Sequence, residues 1–332
     1  MSIEWQFWSE QAANLRIGLC TAVRWPRIGA RLAPGPTVMV SPPVRAGYNA
    51  LFRYLDQPML SYQHQYHAGN HADVLKHWLL VECLMHMRKK ATPFDYIDSH
   101  AGSGRYRLDS HEAQKTGEYK LGIAKLIDTD WPELADYLDL VRPDLSKQQY
   151  PGSPEIVNRL LRHGDHSSLF ELHSQAVREL EKNCARKRQT QVRFEDGLAG
   201  MSALLPVPSR RALVLVDPSY EVKSEYDAVT NAVEKAWKKM SQSTILVWYP
   251  VVERSRIDRM ERRLVRSGIK NMQLFEMSIA DDAARGMTGS GVIAINPPWT
   301  VADRFNRLFP LVSTALSSDD TARIRVKVLT PE

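Results

Sequence analysis

A chain of 332 residues with 43% hydrophobic and 25% charged side chains can bury a large core, and no apolar run in it approaches the roughly 18 residues of a membrane span. The net charge of +6 and isoelectric point near 9.1 suit a polyanionic partner such as nucleic acid, because Lys and Arg that neutralise phosphates release counterions. Three scattered cysteines, Cys20, Cys83 and Cys184, have the spacing of neither a disulfide framework nor a zinc site, which fits a reducing cytoplasm.

Residues 1–58 differ from everything after them. They carry six arginines, no lysine and three acids, with a Pro/Gly-containing stretch from Pro34 to Pro43 and no helical or strand period. The apolar run Ile17–Val23 follows Glu4 and Glu10, which does not suit a secretory signal, while the Arg-rich, acid-poor composition leaves a transit peptide open. The expectation is an atypical extension, disordered or not translated, with Met59 as the working start, because ordered patterning begins immediately after it. Four histidines then fall within fourteen residues, His64 to His77. His67 and His71 have ligand-like spacing, but Gly69-Asn70 interrupts them and no Cys or acidic partner completes a set, so no metal is expected. The better reading is a cleft lining: Tyr62 and Tyr66 can stack on bases or pack in a core, and Lys76 can meet phosphate or lie on a solvated helix face.

Asn70 reads as the N-cap of a helix with Asp73 in its first turn and an apolar face of Val74, Leu75, Trp78, Leu79, Val81 and Leu84. The strand candidates follow at Phe94–Asp98, Ser168–Leu172, Gln191–Glu195, Ala212–Asp217, Thr244–Tyr249, Met272–Ile279 and Gly291–Asn296. Seven strands alternating with helices predict an α/β fold with a doubly wound, mainly parallel sheet. The long gap between the first two predicts a helical insertion at about residues 105–164, with Trp131–Val141 as one amphipathic helix.

The strand ends carry the chemistry. The first closes on Asp98-Ser-His-Ala-Gly-Ser-Gly104, a turn whose glycines let backbone approach a ligand. The second places Glu171 where doubly wound folds accept ribose hydroxyls, and the third ends in Glu195-Asp196-Gly197, suited to an adenine amine. A complete G-x-G-x-x-G is lacking, which argues against NAD. The fourth ends on Asp217-Pro218-Ser219-Tyr220: an acceptor for the hydrogens of an exocyclic amine, beside a flat ring. This tetrad resembles the (D/N)PP(Y/F/W) motif of amino-methyltransferases that use S-adenosylmethionine, with Ser219 where a second proline is usual. Asn296-Pro297-Pro298-Trp299 fits the pattern more closely, but it leaves too little chain to complete a sheet, and a rigid proline turn is expected there.

Taken with the blocks Tyr66–His77, His100–Tyr106, Tyr150–Pro154, Trp248–Val252, Arg285–Thr288 and Asn296–Trp299, the chain from Met59 to Glu332 resembles the RlmJ family of bacterial 23S ribosomal RNA adenine-N6 methyltransferases. The resemblance implies a Rossmann-like, S-adenosylmethionine-dependent methyltransferase fold with an inserted helical subdomain. The implied reaction is methylation of adenine N6 in 23S rRNA, in the cytoplasm, by an enzyme that consumes S-adenosylmethionine and needs neither metal nor membrane; a monomer is expected. It further implies that His77, His100, Ser153, Glu171, Asp196, Gly197 and Asp217 contact the methyl donor or its immediate site. Asp217 is then the catalytic acceptor, with Pro218 and Tyr220 beside it, and Tyr62 touches the RNA. Rival readings are an amino-methyltransferase for DNA or protein glutamine, and a non-catalytic RNA-binding protein with the same shell. Asp rather than Asn at 217 argues against glutamine, the lack of an evident target-recognition region against DNA, and acids at three strand ends against a non-catalytic shell.

Overall fold

A computed structural model describes residues 62–332 apart from 186–188, 283, 285 and 318–320; the expectations for residues 1–58 and for Met59 lie outside the described residues. Helix α1 (His71–Arg88) starts where the sequence places its cap, the Asn70 side chain accepting from the N–H groups of Ala72 and Asp73. Fifteen of its 18 residues are buried, so the helix runs through the interior and takes Asp73, Lys76 and His77 with it. The solvated face considered for Lys76 does not exist: its side chain is 4% exposed.

The chain continues through β1 (Asp95–Asp98), β2 (Arg105–Arg107), α2 (His111–Thr116), α3 (Glu118–Leu121), α4 (Pro132–Leu145), β3 (Gln149–Pro151), α5 (Ser153–Leu160), β4 (His166–Phe170), α6 (Ser174–Cys184) and β5 (Thr190–Arg193). There follow α7 (Gly197–Leu204), β6 (Ala212–Val216), α8 (Glu225–Lys239), β7 (Thr244–Val251), α9 (Arg254–Arg266), β8 (Met272–Ser278), β9 (Gly289–Ile295), α10 (Val301–Leu316) and β10 (Arg323–Thr330). Pro132 opens α4, its fixed φ suiting the first turn, and β2 pairs with β3 in a small antiparallel ribbon.

The main sheet has the order β10-β8-β9-β7-β6-β1-β4-β5. Strands β7, β6, β1, β4 and β5 are mutually parallel, and β9, β8 and β10 pair antiparallel beyond β7. All seven expected strands are present within about two residues of their expected bounds. The eighth, β10, alternates Ile324, Val326 and Val328 with Arg325 and Lys327, the pattern of a half-buried edge strand rather than of a continuous apolar run. Alternation also sorts the central strands: Leu213, Leu215 and Leu246 join one apolar cluster with α1 and α10, while Val214, Val216, Ile245 and Val247 join another with α8 and α9. Among the described residues no helix is long and apolar enough to cross a membrane.

Candidate active site

The parallel register sets Asp98 opposite Leu215 on one side and Leu169 on the other. The loops after β6, β1, β4 and β5 therefore open along one rim about 14 Å long, at about 4.8 Å per strand. Strand order reverses between β1 and β6, the place where open α/β sheets bind ligands. Asp217, His100, Glu171 and Asp196 lie along this rim in that order.

Asp217 stands at the β6 end of this rim. Its Oδ2 accepts from Lys76 Nζ at 2.6 Å, and the same ammonium lies 2.9 Å from Asp73 Oδ1 and 5.7 Å from the Trp248 ring centroid. Oδ1 of Asp217 accepts no hydrogen bond among the described residues. Burial raises the Asp217 carboxyl to about 6, the nearby ammonium pulling the other way. For Lys76 burial disfavours the charge, yet Asp217 and Asp73 more than offset it and raise its pKa, so the ammonium persists. Asp73 in turn accepts from His64 Nε2 at 3.0 Å and from the Gly69 N–H at 2.8 Å. With His64 donating from Nε2, its Nδ1 accepts from the Tyr62 hydroxyl at 2.9 Å. Tyr62 also stacks on His67 at 5.4 Å between ring centroids, so the start of the described chain is tied to Asp217 through one continuous polar network. The sequence singles out Asp217 and Tyr62 as site residues and offers Lys76 and the histidine run containing His64 as a cleft lining, but with phosphate rather than Asp217 as the partner of Lys76; Asp73 reads only as a first-turn helix residue, and the fold joins them.

The residues that the sequence resemblance assigns to a methyl donor are held as follows. Glu171 accepts from the Gly102 N–H at 2.8 Å and the His173 N–H at 2.6 Å, pinning the glycine turn, and burial raises its pKa. Asp196 is exposed and caps α7 through Oδ1, 2.9 Å from the Leu198 nitrogen. Ser153 donates to Asp98 Oδ2 at 2.7 Å, beside the Tyr96 hydroxyl at the same distance. His77 is 1% exposed, shares a 2.7 Å hydrogen bond with the Tyr150 hydroxyl, and is lowered by burial to about 3, hence neutral. Burial likewise lowers His100 to about 4. Ser153 and His77 are thus committed to protein partners, whereas Glu171 and Asp196 stand at the rim. A β-carbon on Gly197 would lie 1.8 Å from the Ser99 carbonyl oxygen. Gly197→Ala is expected to force the β1 and β5 loops apart and lower stability by about 1–3 kcal/mol, read as a drop in the thermal unfolding midpoint.

The two tetrads separate by strand direction. Asp217 follows β6 at the rim. Asn296 follows β9, which runs antiparallel to β7 with Ile295 opposite Ile245, so its tetrad lies at the other end of the sheet. There the Asn296 side chain donates to the carbonyls of Ser241 and Ser243 at 2.8 and 2.9 Å, and Trp299 is 79% exposed. At the rim Tyr220 holds a left-handed backbone, φ 54°, and its hydroxyl donates to the Trp248 carbonyl at 2.8 Å. Strain of about 1–3 kcal/mol is typical of such a residue and persists where the surroundings fix it. Ser219, the departure from the motif, leaves this anchoring of the ring intact. As for the histidine pair considered for metal, His67 Nδ1 is engaged by Glu118 at 2.9 Å, and no three His, Cys, Asp or Glu cluster as a metal site among the described residues.

A family model described as Ribosomal RNA large subunit methyltransferase D, RlmJ, matches residues 91–330. The chain is 41% identical over 281 residues to the Ribosomal RNA large subunit methyltransferase J of Haemophilus influenzae, a match covering 82% of this chain and 100% of that protein. It is 40% identical over 280 residues to the protein of the same name from Escherichia coli strain K12, with the same coverage. A crystal structure of a Legionella pneumophila protein superposes with a TM-score of 0.74 at 30% identity, covering 79% of this chain and 98% of that one.

Proposed function

The chain belongs to the family of ribosomal RNA large subunit methyltransferases that the matched model describes, and from that membership we propose that it methylates the N6 amine of an adenine in 23S rRNA, with S-adenosylmethionine as donor, in the cytoplasm. The residues at the rim fit the donor: Glu171 and Asp196 are acceptors suited to ribose hydroxyls and an adenine amine, the Gly102 N–H lies against Glu171, and Gly197, next to Asp196, lies against the Ser99 carbonyl where a β-carbon would not fit. When bound there, S-adenosylmethionine supplies an electrophilic methyl group. The observation that carries the reading is the half-used carboxylate of Asp217, with Oδ2 fixed by Lys76 and Oδ1 open.

In this proposal Oδ1 and the Pro218 carbonyl accept the two amine hydrogens and turn the nitrogen lone pair toward the methyl carbon. As the N–C bond forms, the methyl–sulfur bond of the donor would break with its electron pair left on sulfur, releasing S-adenosylhomocysteine, and Asp217 takes the proton that the nitrogen loses. Tyr220, held by the Trp248 carbonyl, stacks on an adenine that is unpaired or taken out of its helix. Tyr62 contacts the RNA beside it. The test is transfer of isotopically labelled methyl from S-adenosylmethionine to 23S rRNA, naked and assembled, followed by nucleoside digestion. Label in N6-methyladenosine is expected; label only in another nucleoside, or none, defeats the proposal. Because Trp299 projects at the opposite end of the sheet, Trp299→Ala is expected to leave transfer unchanged and stability within about 0.5 kcal/mol, checked in the same assay and by thermal unfolding.

A further inference from the structure

Helix α9, Arg-Ser-Arg-Ile-Asp-Arg-Met-Glu-Arg-Arg-Leu-Val-Arg, contains six arginines in 13 residues. Ile257, Met260 and Leu264 bury its inner face, and three arginines have structural partners. Arg254 pairs with Glu276 at 2.8 Å and Asp282 at 3.0 Å, Arg256 with Glu253 at 2.5 Å, and Arg263 with Asp227 on α8. The other three, Arg259, Arg262 and Arg266, are exposed and make no ion pair or hydrogen bond among the described residues. Their spacing of three and then four residues puts them on one stripe of the helix, about 10 Å long at 1.5 Å per residue. Exposed Lys270, also unpaired, continues the charge beyond the helix. The nearby acids do not neutralise the stripe: Asp227 is taken by Arg263, Glu261 by Arg325 at 2.6 Å, and Asp258 forms no ion pair with it.

The helix also points the right way. It begins three residues after Val251 ends β7, and β7 is parallel to β6, so α9 starts at the rim that holds Asp217 and descends the flank from there. We propose that Arg259, Arg262, Arg266 and Lys270 form a phosphate-binding track for rRNA flanking the target adenine. This rests on the reading of RNA as the substrate and adds where the RNA runs. Exposed, unpaired cations in a row match a polyanionic strand, and such contacts position RNA without reading its bases.

The test compares the full chain with a variant carrying Arg259→Gln, Arg262→Gln and Arg266→Gln, and a second carrying Lys at the same three positions. The substrates are a 23S rRNA fragment that the wild type methylates and the shortest stem-loop cut from it that still accepts methyl. The Gln variant is expected to raise KM for the long fragment about tenfold near physiological salt and to flatten the slope of log affinity against log salt by about 2–3. Its kcat and its KM for the stem-loop stay unchanged, and the Lys variant restores the slope. An unchanged slope and KM would make the stripe a solvated face and overturn the proposal, as would an equal loss on the stem-loop. If the wild type methylates no 23S RNA, the substrate reading fails, but the salt dependence with which full-length 23S rRNA binds the wild type and the Gln variant still decides the track.

Discussion

Asp217→Asn is expected to slow methyl transfer by about 10²–10⁴-fold, the range for removal of a positioned proton acceptor, without loss of fold. Asn keeps the shape and can still accept one hydrogen through its carbonyl, but it cannot take the proton that the amine sheds. The stability expectation follows from the sign of the pKa shift. The Asp217 carboxyl titrates near 6 in the fold, above the ordinary aspartate value of 3.8. Ionising it thus opposes folding, with stability present below the unfolded value and lost as pH rises through about 6. The shift corresponds to about 3 kcal/mol at neutral pH, which the amide removes while Lys76 keeps its contact with Asp73. The variant should therefore unfold at the same or a higher temperature than the wild type, as expected where a site holds a charge for chemistry rather than for stability. Single-turnover kinetics and calorimetry on the same preparation check both halves; an active variant, or an inactive one that has lost its fold, contradicts the assignment.

Lys76→Met is expected to do the reverse to stability. The ammonium is 4% exposed and lies between two carboxylates, and deleting one member of such a buried set leaves charge uncompensated, at about 3–5 kcal/mol. Denaturant unfolding measures that loss. Without the ammonium, which holds the Asp217 carboxyl down, its pKa should climb by a further 1–3 units or so. Transfer at neutral pH then falls because little of the carboxylate is ionised, and raising the pH recovers it. Adding Asp217→Asn to Lys76→Met should return part of the stability, since one of the two stranded charges is gone.

Much of this site is legible in the chain because its parts are local. Apolar runs that end on Asp98 and Asp217 or carry Glu171 next to their end announce strands that deliver acids to a rim, and Asn70 announces the start of α1 through its own capping chemistry. What the sequence cannot convey is direction and distance. The Asn296 tetrad matches its pattern well, but β9 runs against β7, and antiparallel pairing is set by how the chain returns, not by the residues of the strand. The bond from Lys76 to Asp217 joins positions 141 apart; a lysine three residues after Asp73 on a helix looks like an ordinary surface pair until the helix is seen to run through the interior. Strand β10 hid for a different reason, since its charges interrupt the apolar pattern that marks the central strands.

The central claim is that an ionised Asp217, buried and held by Lys76, accepts the proton from the adenine amine. The most direct test is the pH dependence of the single-turnover methyl transfer rate in the wild type. A plateau at neutral pH that falls with a one-proton slope below about 6 is the expected result. A rate that stays level down to pH values near 4.5, below where that carboxyl must protonate, would contradict it.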